Sequence, residues 1–231
     1  MQTPLLLLHG ALGSKAQMAA IEKHLPADIP VYALNFPGHG GLSTYISFSM
    51  PLFAKAVLEF LDIEHIPQAD MFGYSMGGYA ALYLAWKHPE RVRRITTLGT
   101  KFDWTPETAA RESAMLDPEK IEAKVPQFAQ ALAQRHAPAD WKAVLRQTAD
   151  LLHGLGNSQG LPPEAFANIS CPVMILLGEF DNMVTLAESQ QAAAALPQGR
   201  FEILPGAKHA IEQVDQALLA MRLNAYFYPE K

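Results

Sequence analysis

Short, mostly apolar runs alternate along the chain with longer stretches of helical periodicity. The short runs are Pro4–Leu8 (PLLLL), Val31–Asn35 (VYALN), Ala69–Phe72 (ADMF), Ile95–Leu98 (ITTL), Val173–Leu177 (VMILL) and Phe201–Leu204 (FEIL). They lack the strict apolar–polar alternation of a half-solvated strand, so they predict strands buried on both faces, as in a parallel sheet. Between them, Lys15–His24, Met50–Leu61, Met76–His88, Leu186–Leu196 and Ile211–Tyr226 carry the 3.6-residue pattern of helices. Strand, helix, strand, repeated, predicts an α/β fold: a mostly parallel sheet of about six strands flanked by helices.

One connection departs from this rhythm. After the fourth run, Ile95–Leu98, the next does not begin until Val173. The interval is helical, charged and alanine-rich, and is punctuated by Pro106, Pro118, Pro126, Pro138 and the pair Pro162–Pro163. A structureless loop of that length is rare in a compact domain. Residues 101–168 are therefore expected to form a helical lid of three or four short helices. Residues 1–100 and 169–231 would form the α/β core.

Composition narrows the class. The chain has 231 residues, of which 49% are hydrophobic and 18% charged, as in an ordinary globular protein. A formal net charge of −5 argues against a nucleic-acid or anionic-lipid surface. The longest apolar runs fall far short of the ~20 residues of a membrane span. The start, MQTPLLLLHG, lacks the charged region and cleavage site of a leader, which makes the cytoplasm the expected location. Cys171 stands alone, which excludes an intrachain disulfide, and reads as a small buried residue. The terminal aromatics Tyr226, Phe227 and Tyr228 are read as covering a sheet edge, with monomer and homodimer both open.

Candidate chemistry begins at GYSMGG, residues 73–78. A lone G-x-S-x-G string carries little, but here a strand precedes it and a helix follows. A serine on so sharp a turn needs neighbours without side chains, which Gly73 and Gly77 supply, while Gly78 lets the helix approach the sheet. Such a turn projects the Ser75 hydroxyl from the sheet edge beside a helix N-terminus. A serine hydroxyl needs a base, ordinarily a histidine held by a carboxylate. His24, His65 and His88 fall at helix ends, His136 and His153 in the lid, and His9 and His39 in loops that could shape a pocket. His209, in PGAKHAIE, follows the last strand at the carboxyl edge of the sheet, where open α/β proteins carry their sites. For the carboxylate, GEFD after the fifth strand offers Asp181 first and Glu179 second, with Asp103 a further option. The oxyanion donors would be the N–H groups of Met76, next to the nucleophile, and Ala11, in the LLHGALGS loop. Phe36, Tyr74, Phe102 and Trp104 are candidate pocket walls, with core packing an equal reading for the last two. No metal-ligand spacing occurs.

LLHGALGS, NFPGHGGLS, GYSMGGYAAL, GEFD and GAKH together resemble the α/β-hydrolase superfamily over nearly the whole chain. Its small bacterial carboxylesterases and thioesterases, and lyases similar to the SHCHC synthases, carry a helical lid at the position of residues 101–168. The resemblance implies a triad of Ser75, Asp181 and His209, acyl transfer to water, no cofactor, and a small-molecule acyl substrate. The alternative keeps the triad for C–C bond hydrolysis, acyl transfer to an alcohol, or a lyase reaction. Two departures stand out. The chain begins on the strand before the HG loop, without the family's two earlier strands, and Asn35 stands where D-x-P-G-H-G-x-S has aspartate.

Overall fold

Residues 2–229 are described in a computed structural model. The six apolar runs form β1 (Leu5–Leu8), β2 (Val31–Leu34), β3 (Ala69–Tyr74), β4 (Val92–Leu98), β5 (Val173–Gly178) and β6 (Gly199–Leu204). They pair in the order β2-β1-β3-β4-β5-β6, and every pairing is parallel. Strands β1, β3 and β5 are buried throughout, whereas β2 and β6, at the edges, are mostly half-exposed. Side chains alternate across the sheet. Leu6 and Leu8 face one core with α2 (Met50–Ile63) and α3 (Met76–Lys87), and Leu5 and Leu7 face another with α1 (Ala19–Glu22) and the C-terminal helix. The register levels the carboxyl ends of the central strands, with Leu8 beside Gly73 and Leu98 beside both Tyr74 and Leu176. Whatever follows β1, β3, β4 and β5 therefore meets at one edge.

Between β4 and β5 the chain makes five helices rather than three or four: α4 (Pro106–Ser113), α5 (Pro118–Lys124), α6 (Pro126–His136), α7 (Trp141–Gly156) and α8 (Pro163–Ala167). The reason is visible in the prolines. Pro106, Pro118, Pro126 and Pro163 each open a helix, where the missing N–H costs nothing. Thr105, Asp117 and Asp140 cap α4, α5 and α7 through side-chain oxygens. Ile121, Ala129, Leu132 and Leu145 give the segment a small core of its own, while Val144, Leu151 and Leu155 of α7 join the main one.

The remaining helices are α9 (Leu186–Ala195) and α10 (Gln216–Phe227). Two of the expected helices are broken. Lys15–Met18 is a tight 3-10 turn leading into α1. Residues 211–213 form another such turn, because Asp215 accepts from the N–H groups of Ala217 and Leu218 and starts α10 afresh. Tyr228 donates to the Thr3 carbonyl at 2.7 Å, and Arg94 donates to the Tyr226 and Phe227 carbonyls, so residues 226–228 lie across the amino end of the sheet.

Asp70, at that amino end, is fully buried. Arg93 Nε stands 3.2 Å away, yet neither carboxylate oxygen receives a hydrogen bond. Burial pushes the carboxyl up to about 7 against the pull of Arg93 and Arg94. The folded chain then keeps a proton that the unfolded chain, with a value of ~3.9, has already released. Stability must fall as pH rises between those two values and level off above the higher one. Asp70→Asn removes the slope. We expect the variant to match wild type near pH 4 and to be the more stable by pH 8, by on the order of a few kcal/mol. Urea denaturation at each pH measures this, and a wild type that stays the more stable at pH 8 refutes it.

Candidate active site

Ser75 occupies the turn between β3 and α3 with φ of 50° and ψ of −117°. A serine there carries strain on the order of 1–3 kcal/mol, so its surroundings must hold it. Its N–H donates to the Leu98 carbonyl at 2.8 Å, and its own carbonyl accepts from Thr100 Oγ1 at 2.9 Å and the Gly78 N–H at 3.0 Å. The flanking glycines are there for close approach. A Cβ on Gly77 would lie 2.5 Å from the Leu8 carbonyl oxygen, and one on Gly73 would strike the backbone of Gly78.

The β5 strand ends in the turn that carries Asp181, whose N–H returns to the Gly178 carbonyl at 3.1 Å. Asp181 Oδ1 accepts from the N–H groups of Met183 and Val184 at 2.8 and 3.0 Å. Oδ2 faces His209 Nδ1 at 2.8 Å. Burial raises the Asp181 carboxyl, but the His209 bond and charge and the two backbone donors outweigh it and hold it below its ordinary value. The group is therefore a carboxylate, and Nδ1–H of His209 donates to it. That leaves Nε2 as the basic nitrogen. The Asp181 side chain is 1% exposed and His209 12%, so the bond is shielded from water.

Gly99, directly after the Leu98 that binds Ser75, passes beneath the pair. A Cβ there would lie 3.1 Å from Asp181 Oδ2 and 3.2 Å from His209 Nδ1. The Tyr74 ring stands 5.7 Å from that of His209. Serine, histidine and aspartate thus converge around the end of β4. Among the described residues no hydrogen bond joins Ser75 Oγ to His209, a contact that in free enzymes is commonly long and tightens on binding. Of the other carboxylates considered, Glu179 instead accepts from the Gly206 N–H at 2.8 Å, and Asp103 is exposed.

Met76 opens α3, where the backbone N–H has no intrahelical acceptor. Ala11 lies in a turn closed by the Gly13 N–H to the Gly10 carbonyl at 3.1 Å. That turn abuts the serine, since a Cβ on Gly10 would come 3.3 Å from Ser75 Cβ. Two residues hold its base. His9 is fully buried, with Nδ1 donating to the Gly10 carbonyl at 2.7 Å and Nε2 accepting from the Phe36 N–H at 3.1 Å. Burial keeps it neutral, with a pKa lowered to about 4. Asn35 accepts from the Lys15 N–H at 2.7 Å and donates to the Gly40 carbonyl at 3.1 Å. An amide can do both, which an aspartate in its place could not.

The candidate pocket residues separate. Phe36 is wholly enclosed, packed on His9 and Phe53. Tyr74 is buried in the opposite core. Phe102 and Trp104 lie half-buried against the core that holds Met76 and Tyr79, with Phe102 edge-on to Phe166. A cleft of about 450 Å³ opens beside Asp181, lined by Lys101, Arg111, Met183 and Thr185 among others, but not by Ser75 or His209. Cys171 is buried, and its thiol is pushed up to about 11, as suits a packing residue. Among the described residues no helix is long and apolar enough to cross a membrane.

In the sequence, His136 shows nothing beyond its place in the inserted segment. It is fully buried and binds two of the loops at this edge. Nothing in its neighbourhood along the chain marks it, because its partners are backbone groups distant in sequence.

The chain is 26% identical to a pimeloyl-[acyl-carrier protein] methyl ester esterase of Chromobacterium violaceum, over 89% of its own length and 86% of the relative's. It is 28% identical to a putative 2-succinyl-6-hydroxy-2,4-cyclohexadiene-1-carboxylate synthase of Bacillus subtilis, over 95% and 88%. A Neisseria meningitidis esterase named like the first is 37% identical over 89 residues, 38% of this chain and only a third (33%) of that protein's length. Among solved structures, the enol-lactonase of Burkholderia xenovorans superposes with a TM-score of 0.78 at 18% identity, covering 100% of this chain and 92% of that one. E-2-(acetamidomethylene)succinate hydrolase gives 0.77 at 20%, covering 98% and 91%. At those identities the likeness speaks for the fold alone. The family description "alpha/beta hydrolase fold" matches residues 3–139, which run from β1 through the strained serine to the end of α6. With more than half of its length matched, and with the all-parallel sheet and the strand-turn-helix at Ser75 in place, the chain belongs to the α/β hydrolase family.

Proposed function

We propose that this protein is a serine hydrolase of small carboxylic esters or thioesters. The observation that carries the reading is the 2.8 Å bond from His209 to a shielded Asp181 carboxylate, beside a serine held in a strained turn. Ser75 Oγ attacks the substrate carbonyl as His209 Nε2 takes its proton, and Asp181 stabilises the imidazolium. The N–H groups of Met76 and Ala11 receive the oxyanion. His209 returns the proton to the leaving alcohol or thiol, and water then releases the acid through the same base.

The inserted helices act as the lid over this edge. Val144, Leu151 and Leu155 share one apolar core with Met76 and Tyr79, which suits an uncharged acyl group. Six of the seven Lys and Arg side chains of residues 101–168 stand within 3.6 Å of a carboxylate. The segment therefore offers no cluster of free cations for a strongly anionic substrate or carrier. This favours a small neutral ester over the lyase alternative, which the whole-length likeness to the putative synthase keeps as the second reading.

A p-nitrophenyl ester series from acetate to decanoate tests the proposal. We expect turnover with an optimum at a short or medium chain. Stoichiometric labelling of Ser75 by a fluorophosphonate without turnover of any ester would instead favour the second reading.

A further inference from the structure

We propose that His136, on the inserted segment, is a positioning residue that holds the Ala11 loop in its working conformation. The inference rests on the hydrolase reading above and goes beyond it, because it makes the lid a part of the oxyanion site rather than a cover alone.

The Ala11 loop is not held by its own preferences. In the Gly10–Gly13 turn, Leu12 adopts φ of 57°, a left-handed conformation that suits glycine or asparagine better than leucine. Such a conformation persists only where its surroundings over-determine it. Here they belong to α6. The Leu12 carbonyl accepts from His136 Nε2 at 3.1 Å and from Arg135 Nη1 at 2.9 Å. The Leu12 side chain packs against both the main core and the small core of the inserted segment. Relaxing Leu12 to a negative φ turns over the peptide that joins Ala11 to Leu12, and that change in the turn shifts Ala11 and its N–H out of place.

The imidazole also makes a second, opposite bond. His136 Nδ1 accepts from the Gly40 N–H at 3.1 Å. Only the neutral ring with its proton on Nε2 satisfies Leu12 and Gly40 together. Its own helix adds Arg135, which pairs at 3.3 Å with Glu212, three residues beyond His209. From the loop after β2 it faces His39, ring to ring at 5.7 Å, and His39 in turn faces His9 of the β1 loop at 5.1 Å. Burial, ahead of the charge of Arg135, keeps His136 below its ordinary pKa, which preserves the acceptor at Nδ1. One helix end thus joins the oxyanion loop, the Gly40 loop and the loop bearing the base.

The test is the steady-state hydrolysis of p-nitrophenyl butyrate by His136→Gln, His136→Asn and His136→Leu, with thermal unfolding alongside. Glutamine offers an acceptor and a donor at the spacing of the two ring nitrogens, so His136→Gln should keep kcat within about threefold. Asparagine can still accept from Gly40 but is too short to reach Leu12. His136→Asn should lose roughly 10- to 100-fold in kcat at nearly unchanged KM, part of the loss of a whole oxyanion donor. His136→Leu should lose at least as much where it folds, and His136→Asn decides the matter where it does not. Wild-type kcat in a folded His136→Asn, or an equal loss in His136→Gln, overturns the proposal. Ser75→Ala in the same assay keeps the two readings apart. If it is inactive while every His136 variant is normal, only the positioning role fails. If it retains full turnover, the hydrolase reading fails first.

Discussion

Ser75→Ala is expected to lower kcat on any ester the enzyme accepts by about four to six orders of magnitude. The fold should survive. Every hydrogen bond that fixes residue 75 runs through its backbone, to Leu98, Thr100, Gly78 and Tyr79. Alanine keeps all of them and meets the same φ of 50° with a Cβ of the same size. Unfolding should therefore shift by less than ~1 kcal/mol, as for a substitution that opens no core cavity and strands no polar group. KM should move little, since in the proposed mechanism the hydroxyl attacks the carbonyl and does not hold the acyl group. The residual rate would be what the proposed oxyanion donors provide for attack by water. Two readouts check this together: kcat from steady-state hydrolysis, and intact mass after mixing, in which wild type gains the acyl group and the variant does not. Retained turnover in the variant would mean that the strained serine serves the backbone only.

Much of this arrangement is readable in the chain itself. Parallel strands announce themselves as short apolar runs, and all six appear where those runs lie, though β2 and β6, at the edges, are half-exposed and not buried on both faces as expected. GYSMGG locates the serine because the constraint is local: the strand, the turn and the helix that force the strain are contiguous. His209 and Asp181 are legible for a related reason, as each follows a strand directly and parallel topology brings all such ends to one edge. The failures are equally physical. Ile211–Tyr226 reads as one helix because its apolar spacing continues across Asp215, and only the capping bonds of that aspartate reveal the break. The inserted segment holds five helices and not three or four because four of the prolines that punctuate its sequence begin helices. Phe36 reads as a pocket wall from its place after a strand, yet it is enclosed by His9 and Phe53, which no local pattern relates to it. His136 lies beyond such reading altogether. Its partners, Leu12 and Gly40, are about a hundred residues away and contribute backbone atoms that carry no sequence signature.

Asp181→Asn should cost about 10⁴-fold in kcat, more than the loss of one negative charge suggests. The cause lies in the two backbone donors. Met183 and Val184 both direct N–H groups at Oδ1 of residue 181. An asparagine must keep its carbonyl there, because turning the amide over would set two N–H groups against an NH₂. Its NH₂ then points at His209 Nδ1 and requires that nitrogen to accept. The imidazole proton is driven to Nε2, the nitrogen that takes the proton of Ser75 in the proposed mechanism, and the proposed base is lost without any movement of the ring. Raising the pH does not restore it, since deprotonating the imidazolium still yields the wrong tautomer. Asp181→Ala imposes no tautomer and is expected to retain more activity than Asp181→Asn, an ordering that a purely electrostatic role would not produce. Stability should follow its own pH dependence. The Asp181 carboxyl is held below its ordinary value, so its contribution is complete above the unfolded value of ~3.9 and fades as pH falls through the lower folded one. The variant should thus be less stable than wild type at pH 7, with the gap closing in acid below pH ~4. Nitrogen-15 chemical shifts of His209 in the two proteins would read the tautomer directly, and an unchanged Nδ1–H in Asp181→Asn would overturn the explanation even if the rate fell as expected.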